Sequence, residues 1–167
     1  MTIHKKHFGV YGVAYVNEHL LCIRKKTGPY KNRFDLPGGS QKRSEGLTET
    51  LIREVWEETG CGVENYRNVR CYDVLVEEKE TDRVVHHIFV LYTIDVIKQN
   101  DKLPKLGQEI NDSSGPIWVA IKELTEENTS PLVTKVIAEL NQELNKTFFD
   151  VKRYENWLIK GDSNKKI

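Results

Sequence analysis

Apolar residues fall into several short segments along the chain, and their pattern predicts a fold rich in strands. Residues 8–17 and 20–26 are predicted as two strands joined by a tight turn. Residues 69–78 and 83–97 are predicted as a longer β-hairpin, and residues 117–121 as one more short strand. The chain is therefore expected to be built around a sheet.

Two other segments show the period of an amphipathic helix. The first covers residues 46–59 and is followed by Gly60 and Gly62, which favour the end of a helix. The second covers residues 131–144 and starts with Pro131, because proline is well tolerated in the first helical turn. Strands combined with helices in this order predict an α/β sandwich.

Length and charge narrow the class of protein. The 167 residues fit a single domain, and 25 basic residues balance 25 acidic ones. Without a net charge, no nucleic acid polymer or membrane surface is indicated as a partner. No apolar run reaches the roughly 18 residues of a membrane span. The three cysteines, which form no CxxC pair, favour a reducing, cytoplasmic location.

The first predicted helix carries a cluster of acidic side chains. Glu54, Glu57 and Glu58 stand at positions i, i+3 and i+4, so their carboxylates share one arc of the helix. Like charges at this spacing repel each other by about 0.2–0.5 kcal/mol per pair. A divalent cation would turn that repulsion into attraction, and a set of oxygen ligands suits Mg²⁺ or Mn²⁺ better than zinc. The alternative is a solvated helix face. The residues expected to face the core are Ile52, Val55, Trp56 and Thr59.

A glycine pair precedes this helix. Gly38 and Gly39 allow the backbone to turn sharply and to approach the helix closely. A backbone carbonyl in such a turn would be a further oxygen ligand for a hard cation. The turn and the acidic helix are therefore considered together as a candidate metal site.

The spacing of these residues resembles the Nudix box, which is a glycine, a glutamate six residues later and a longer Arg-Glu-rich segment ending in glycine and an aliphatic residue. The positions that match are Gly39, Glu45, Arg53, Glu54, Val55, Glu57, Glu58 and Gly60. The last aliphatic position is occupied by Cys61, a small apolar residue. The resemblance implies a Nudix-type α/β/α sandwich with a mixed β-sheet. It assigns residues 1–147 to the Nudix domain and residues 148–167 to a C-terminal extension with a disordered end.

The resemblance also implies a reaction and its ligands. Members of the family use Mg²⁺ or Mn²⁺ to hydrolyse a nucleoside diphosphate linked to another group, by attack of water on phosphorus. Glu54, Glu57 and Glu58 would hold the metal. The carbonyl of Gly39 would be another ligand. Glu54 is the preferred general base, although family members differ in where the base lies.

Further residues receive supporting roles from the same resemblance. Arg53 would orient a glutamate, and Glu45 would act through a water molecule or by fixing the start of the helix. Arg24, at the end of a predicted strand, is a candidate phosphate contact or a plain surface charge. Glu109 and Asp112 are candidates for a further acid near the substrate, with solvated loop acids as the alternative.

Subfamily features narrow the range of substrates mainly by excluding subfamilies whose characteristic residues are absent. ADP-ribose pyrophosphatases of the family tend to have a proline about fifteen residues after the box, whereas the first proline here is Pro104. The remaining match is to enzymes that act on nucleoside triphosphates or related nucleotides, while nucleotide sugars and other pyrophosphates stay open as substrates. A non-catalytic domain that senses a nucleotide is the alternative. The resemblance also allows a homodimer.

Two more features are interpreted as packing. His86 and His87 are neighbours on a predicted strand, so one is expected to face the core or the cleft and the other water. The aromatic residues Phe148, Phe149, Tyr154 and Trp157 are expected to cover the sheet or a partner subunit.

Overall fold

Two sheets and two α-helices make up the fold of the computed structural model, which describes residues 1–98, 115–143 and 147–161. The helices are α1 (Leu47–Thr59) and α2 (Pro131–Leu140). A short 3-10 helix (Ile121–Glu123) precedes α2. The strands are β1 (Ile3–Val13), β2 (Tyr15–Val16), β3 (His19–Arg24), β4 (Phe34–Asp35), β5 (Gly38–Ser40), β6 (Cys61–Glu78), β7 (Arg83–Lys98), β8 (Ile117–Ala120) and β9 (Lys152–Trp157).

The larger sheet is mixed and has the strand order β5-β1-β7-β6-β9. β6 and β7 form the predicted antiparallel hairpin, and β1 runs parallel to β7 along its whole length. β5 pairs antiparallel with β1, which places the glycine pair at one edge of the sheet. In the second sheet, β2, β4 and β8 all pair with β3.

The larger sheet separates two apolar clusters. Along β1, Tyr11 joins the cluster that also contains residues of α2, whereas Val10 joins the cluster that contains residues of α1. Along β7, Phe89 and Val90 divide between the clusters in the same way. This alternation is what a strand produces when both of its faces are covered. The expected α/β/α sandwich with a mixed sheet is therefore confirmed.

The bounds of the first strands differ from the predicted ones. β1 begins at Ile3 because its polar first half pairs with β7 even though it is exposed. It ends at Val13, and the next residues of the predicted strand, Tyr15–Val16, belong to the other sheet. The predicted tight turn is present: Asn17 and Glu18 have φ angles of 48° and 61°, as a two-residue hairpin loop requires.

Helix α1 begins at Leu47, one residue later than predicted, and ends at Thr59 as predicted. Its first turn is closed by the Glu49 carboxylate, which accepts a hydrogen bond of 2.6 Å from the backbone N–H of Gly46. Its C-terminal cap is Gly60, with φ of 70°, whose N–H donates to the carbonyl of Trp56. A left-handed glycine is a common end for a helix because it carries no Cβ. The end predicted from Gly60 is thus confirmed.

The buried face of α1 was predicted only in part. Val55 and Thr59 are buried as expected, together with Leu51, but Ile52 and Trp56 are 44% and 40% exposed. Residues 51, 55 and 59 repeat every four positions and lie against the sheet, whereas each following residue is turned away by about 100°. The prediction for Ile52 and Trp56 was therefore wrong.

Helix α2 is shorter than predicted. It begins at Pro131 with Ser130 as its N-cap, but it ends at Leu140 instead of continuing to residue 144. Gln142 adopts a left-handed φ of 56°, which takes the chain out of the helix. The last residue of the prediction, residue 144, lies outside the described residues.

The segment after α2 adds a strand that was not predicted. β9 pairs parallel with β6 and forms an edge of the larger sheet. Trp157, at its end, donates from Nε1 to the carbonyl of Pro29 at 2.8 Å and so joins the segment to the loop after β3. Tyr154 and Trp157 therefore belong to a strand that extends the sheet, whereas Phe148 and Phe149 pack against the ring of Tyr72 in β6. Residues 162–167, which were expected to be disordered, lie outside the described part of the chain.

Candidate active site

A single arginine organises the acidic residues of α1. The Nη1 atom of Arg53 donates to Glu54 at 2.6 Å and to Glu57 at 3.2 Å. Its Nε and Nη2 atoms donate to the two oxygens of Glu45, at 2.6 and 2.8 Å. Nη2 also reaches the carbonyl of Ser40 in β5 at 3.0 Å. The guanidinium thereby joins the helix, the loop before it and the glycine turn.

Glu45 is held firmly as a carboxylate. Besides the bidentate pair with Arg53, it accepts from the backbone N–H of Lys42 and from the hydroxyl of Thr50. The hydrogen bonds from Arg53, supported by those from Lys42 and Thr50, lower the pKa of Glu45 to about 2. Its carboxylate therefore fixes the loop against the start of α1 and holds Arg53 in place.

The glycine pair lies directly against this network. Gly38 has φ of 146°, and a Cβ there would lie 2.3 Å from the carbonyl oxygen of Val10. A Cβ on Gly39 would lie 2.7 Å from the Oε2 atom of Glu54. The turn thus needs glycine at both positions for different reasons. A side chain at position 38 would collide with the backbone of β1, and one at position 39 would collide with the carboxylate of Glu54. The close approach of this turn to the helix, expected from the sequence, is observed.

Glu58 differs from Glu57 because it is partly buried and contacts the glycine turn. Its Oε2 accepts a hydrogen bond of 2.9 Å from the backbone N–H of Gly38. Burial raises its pKa to about 7, and the nearby charges of Asp35 and Glu54 act in the same direction. The Gly38 hydrogen bond and Lys25 act against that rise. Glu58 sits next to the buried row of α1, which explains why it is drawn towards the sheet.

The three predicted ligands do not yet converge. Glu54 is paired with Arg53, whereas Glu57 is half exposed and turns towards Lys42, whose Nζ is 3.4 Å away. Across the described residues, no three His, Cys, Asp or Glu side chains come together as a preassembled metal site. The donor chemistry nevertheless fits a hard cation, because oxygen atoms of Glu54 and Glu58 flank one turn and repel each other. The oxygen donors present therefore fit Mg²⁺ or Mn²⁺ by their chemistry.

A cleft of about 310 Å³ opens beside these acids. Glu57 and Glu58 form its acidic side, and the end of β3 supplies basic residues. The lining residues are Ile23, Arg24, Lys25, Lys26, Thr27, Glu57 and Glu58. A cleft with cationic and carboxylate sides offers direct contacts to phosphate oxygens and oxygen ligands for a cation.

Of the predicted substrate contacts, Arg24 is placed at this cleft and the other two are not described. The guanidinium of Arg24 lies 4.8 Å from the ring centre of Phe34, so part of its surface is taken up by that ring. Glu109 and Asp112 lie outside the described residues. The sequence reasoning missed Lys25, which also lines the cleft and whose charge opposes the rise in the pKa of Glu58. Its position next to Arg24 at the end of a strand was the available signal, since neighbours there point to opposite faces.

A second, inner pocket of about 280 Å³ adjoins the cleft through Lys25 and Thr27, which line both. His87 is 2% exposed and lies at this pocket. Its neighbour His86 is partly exposed and contacts Asp73 at 2.6 Å. The expected division of the two histidines, one inward and one towards water, is confirmed. Asp35, also buried here, accepts from Ser130 at 2.6 Å and from the N–H of Leu36.

The buried imidazole predicts a pH-dependent stability. Burial, with smaller effects of His7, Lys25 and His86, lowers the pKa of His87 to about 3. In the unfolded chain its pKa is about 6.5, so between these values only the unfolded state takes up the proton. The contribution of His87 to the free energy of unfolding should therefore fall with decreasing pH, by about 2 kcal/mol at pH 5.

The comparison of wild type with His87→Gln isolates this contribution. Urea unfolding of both proteins at pH 7 and pH 5 gives the change in their stability difference. Glu58, whose raised pKa of about 7 acts in the opposite direction over this range, is present in both proteins and cancels. We expect the advantage of wild type to shrink at pH 5. Parallel pH profiles would show that His87 can be protonated in the folded protein.

Comparison with known sequences identifies the family of this chain. The model of the NUDIX domain matches residues 5–140. The chain therefore belongs to the Nudix family. It is 31% identical over 88 residues to an ADP-ribose pyrophosphatase of Methanocaldococcus jannaschii, covering 53% of this chain and 50% of that protein. The chain thus spans about half the length of the curated relative that it matches.

Solved structures share the fold at low sequence identity. A MutT NUDIX hydrolase from Burkholderia pseudomallei has a TM-score of 0.62 and 17% identity, with 81% of this chain and 98% of that chain covered. The MutT protein from Methanosarcina mazei Go1 has a TM-score of 0.56 and 20% identity, with 86% of this chain and 98% of that chain covered.

Neither described helix of the present chain is both long and apolar enough to cross a membrane.

Proposed function

We propose that this chain is a metal-dependent pyrophosphohydrolase that cleaves a nucleoside diphosphate linked to another group. The observation that carries the proposal is the Arg53 network, which holds glutamates of α1 at the glycine turn beside a cleft with basic residues. Carboxylates and cations facing one cleft are suited to binding a diphosphate and its cation together. Membership of the Nudix family supports the same activity.

Different residues of the site have different roles in the proposed reaction. Glu54, Glu57 and Glu58, with the carbonyl of Gly39, would hold Mg²⁺ or Mn²⁺. When bound, the cation supplies positive charge that stabilises the phosphoryl oxygens in the transition state. Arg53 positions Glu54 and Glu57 through its hydrogen bonds.

We assign the proton transfer to Glu54. Its carboxylate packs against the glycine turn and is only 15% exposed, so its position is well defined. A base of this kind accepts a proton from the water that attacks phosphorus. The new bond joins the water oxygen to phosphorus, and the bond that breaks is the one from the same phosphorus to the bridging oxygen. The leaving phosphate group departs with that oxygen.

Lys25 is the second positioning element of the proposal. It lies where the cleft meets the inner pocket, and its charge acts on Glu58, Asp35 and His87. A cation at this junction can bind a phosphate whose attached group occupies the inner pocket. Lys25 is therefore the preferred phosphate contact, with Arg24 beside it.

The substrate class has two candidates. The position of Pro104 favours a nucleoside triphosphate or a related nucleotide. The relative from Methanocaldococcus jannaschii favours ADP-ribose, because it is an ADP-ribose pyrophosphatase and shares 31% identity over the matched residues. Both substrates place a nucleoside next to the diphosphate, so the same cleft and pocket would serve either one.

A substrate panel tests the proposal. Purified protein is incubated with nucleoside triphosphates and ADP-ribose, with Mg²⁺ or Mn²⁺ and in ¹⁸O-labelled water, and the products are identified by mass spectrometry. Cleavage of a triphosphate gives a monophosphate and pyrophosphate, and cleavage of ADP-ribose gives AMP and ribose 5-phosphate. The label shows which phosphorus is attacked. Absence of turnover across the panel would contradict the proposal, and tight binding without turnover would favour a nucleotide-sensing domain.

The same assay tests Lys25. Lys25→Gln should raise KM by at least about tenfold, because a hydrogen bond to a charged group is worth about 1.5–3 kcal/mol. Lys31→Gln, in the following loop and outside both lining sets, is the control. An unchanged KM for Lys25→Gln would remove this residue from the site.

A further inference from the structure

Four side chains at the inner pocket form a continuous chain of hydrogen bonds. The hydroxyl of Tyr30 lies 3.0 Å from Nδ1 of His87, and the hydroxyl of Tyr11 lies 3.1 Å from Nε2 of the same ring. The Tyr11 hydroxyl also lies 3.5 Å from Nε2 of His7. All four residues line the pocket of about 280 Å³. This set, Tyr30–His87–Tyr11–His7, is called the relay below.

The relay has two consistent directions of hydrogen bonding. A neutral imidazole donates from one ring nitrogen and accepts at the other. If His87 donates from Nε2 to Tyr11, its Nδ1 accepts from Tyr30. If it donates from Nδ1 to Tyr30, its Nε2 accepts from Tyr11. Burial keeps the ring neutral, since it lowers the pKa of His87 well below its usual range.

The direction decides what Tyr30 can offer to a ligand. In the first direction, the Tyr30 hydroxyl donates its proton to Nδ1 of His87, so its oxygen can only accept a hydrogen bond from a ligand. In the second, the hydroxyl accepts from His87 and its proton is free to be donated. The Tyr30 hydroxyl has no second hydrogen-bond partner among the residues that the structure describes. The opposite end of the relay is His7, which is partly exposed and can change its tautomer.

The pocket also has walls suited to a planar ring. Tyr30 and His87 are stacked, with ring centres 5.7 Å apart and an interplanar angle of 21°. Its volume lies at the lower end of the range for small-molecule sites, which suits one ring system. A nucleobase can stack on an aromatic wall of this kind while its polar edge makes hydrogen bonds. The charged residues that also line the pocket are Lys5, Lys25, Asp35, Glu78 and Arg83.

We propose that the relay makes the inner pocket tolerant of bases with opposite hydrogen-bonding edges, because its direction reverses to match the bound ring. The inference rests on the proposed function in taking a nucleotide as the ligand. A site with a fixed donor or acceptor rejects the mismatched analogue strongly, because a buried polar group is then left unpaired. A reversible relay avoids that penalty for either ligand.

The test compares AMP with IMP, whose bases have nearly the same shape and the same charge. Adenine carries an amino donor and a ring nitrogen acceptor where hypoxanthine carries a carbonyl acceptor and an N–H donor. The dissociation constants are measured by calorimetry, which requires no hydrolysis. Wild type should bind the two nucleotides with affinities within about tenfold of each other, because its relay satisfies both edges.

Two substitutions at the outer end should set the direction. His7→Lys can only donate to Tyr11, and the relay then leaves Tyr30 as a donor. His7→Glu, ionised at pH 7.5, can only accept from Tyr11, and Tyr30 is then left as an acceptor. We expect the AMP/IMP affinity ratio to move about tenfold in opposite directions in the two variants. Because both nucleotides carry the same charge, the altered charge at residue 7 cancels in the ratio.

A break in the relay provides the control. In the Tyr11→Phe background, the same substitutions of His7 should no longer change the ratio, since no hydroxyl connects residue 7 to His87. If one variant does not fold, the other still tests the relay, because its ratio must differ from that of wild type when Tyr11 is present and must not differ in the Tyr11→Phe background. Equal ratios in both variants, or no binding of either nucleotide to wild type, would overturn the inference. A ratio that responds in protein without hydrolytic activity would contradict the proposed function alone.

Discussion

Glu57→Gln is expected to lower kcat by at least about 100-fold, because it removes one negative ligand from a site that needs charge to hold its cation. The side chain of Glu57 is 48% exposed and contacts Arg53 and Lys42 at 3.2 and 3.4 Å. Loss of such surface pairs changes stability by only about 0.5 kcal/mol. The variant should therefore melt like wild type. Activity is measured on the best substrate of the panel, with thermal unfolding measured in parallel.

Glu49→Gln is the matched control, because it removes the same charge from the same helix at an exposed position in the first turn. Its amide oxygen can still accept the hydrogen bond from Gly46 that closes the turn. Near-wild-type activity is expected for this variant. If Glu57→Gln retained more than a third of the activity, Glu57 would not be a ligand.

Glu54→Gln separates the ligands from the base. A variant that has lost only a ligand binds the cation more weakly, so a higher Mg²⁺ or Mn²⁺ concentration should restore part of its activity. A variant that has lost the base stays inactive at any concentration of the cation, because the proton transfer itself is missing. Recovery of Glu54→Gln to the same extent as Glu57→Gln would show that Glu54 is not the base.

The sequence predicted the composition of the site better than its geometry. Helical spacing places Glu54, Glu57 and Glu58 on one arc, and the structure keeps them there. The same spacing does not reveal that Glu58 is partly buried against the glycine turn while Glu57 is half exposed. That difference follows from which row of α1 lies on the sheet, and the row proved to contain Leu51 instead of Ile52. Local periodicity fixes relative angles on a helix, whereas tertiary packing fixes its rotation.

The inner pocket could not be predicted from local patterns. Its residues come from β1, β4, β6, β7 and the loop after β3, and the contact between Tyr11 and His87 spans 76 positions in the chain. The pair of histidines suggested one inward-facing ring, but not which tyrosines would meet it. β9 was missed for the same reason, because its pairing with β6 joins distant segments without a turn signal.

The glycine turn is the feature in which sequence and structure agree most closely, and it gives the second large effect. Gly38→Ala should lower the free energy of unfolding by about 3 kcal/mol or more. The added Cβ would lie 2.3 Å from the carbonyl oxygen of Val10 and 2.6 Å from Cα of Tyr11, and both atoms belong to the backbone of β1. The melting temperature should fall by roughly 6–12 °C, as measured by circular dichroism.

Two other glycines separate backbone strain from loss of the site. Gly28 has φ of 75° with no atom within 4 Å of its added Cβ, so Gly28→Ala should cost only about 1 kcal/mol. At Gly39, the added Cβ meets the end of the Glu54 side chain, which can move away. Gly39→Ala should therefore stay within about 1 kcal/mol of wild type but lose about 10- to 100-fold in kcat, because the carboxylate is displaced.

Comparison of Gly38→Ala with Gly39→Ala tests the two roles of the turn separately. If Gly38→Ala melted like Gly28→Ala, the turn would not be pressed against β1 as the structure has it. If Gly39→Ala kept full activity, the carboxylate of Glu54 would not depend on its contact with the turn, and its assignment as the base would lose its geometric support. The expected outcome, a stability loss at one glycine and an activity loss at the next, follows only if the turn both closes the sheet edge and positions the glutamate.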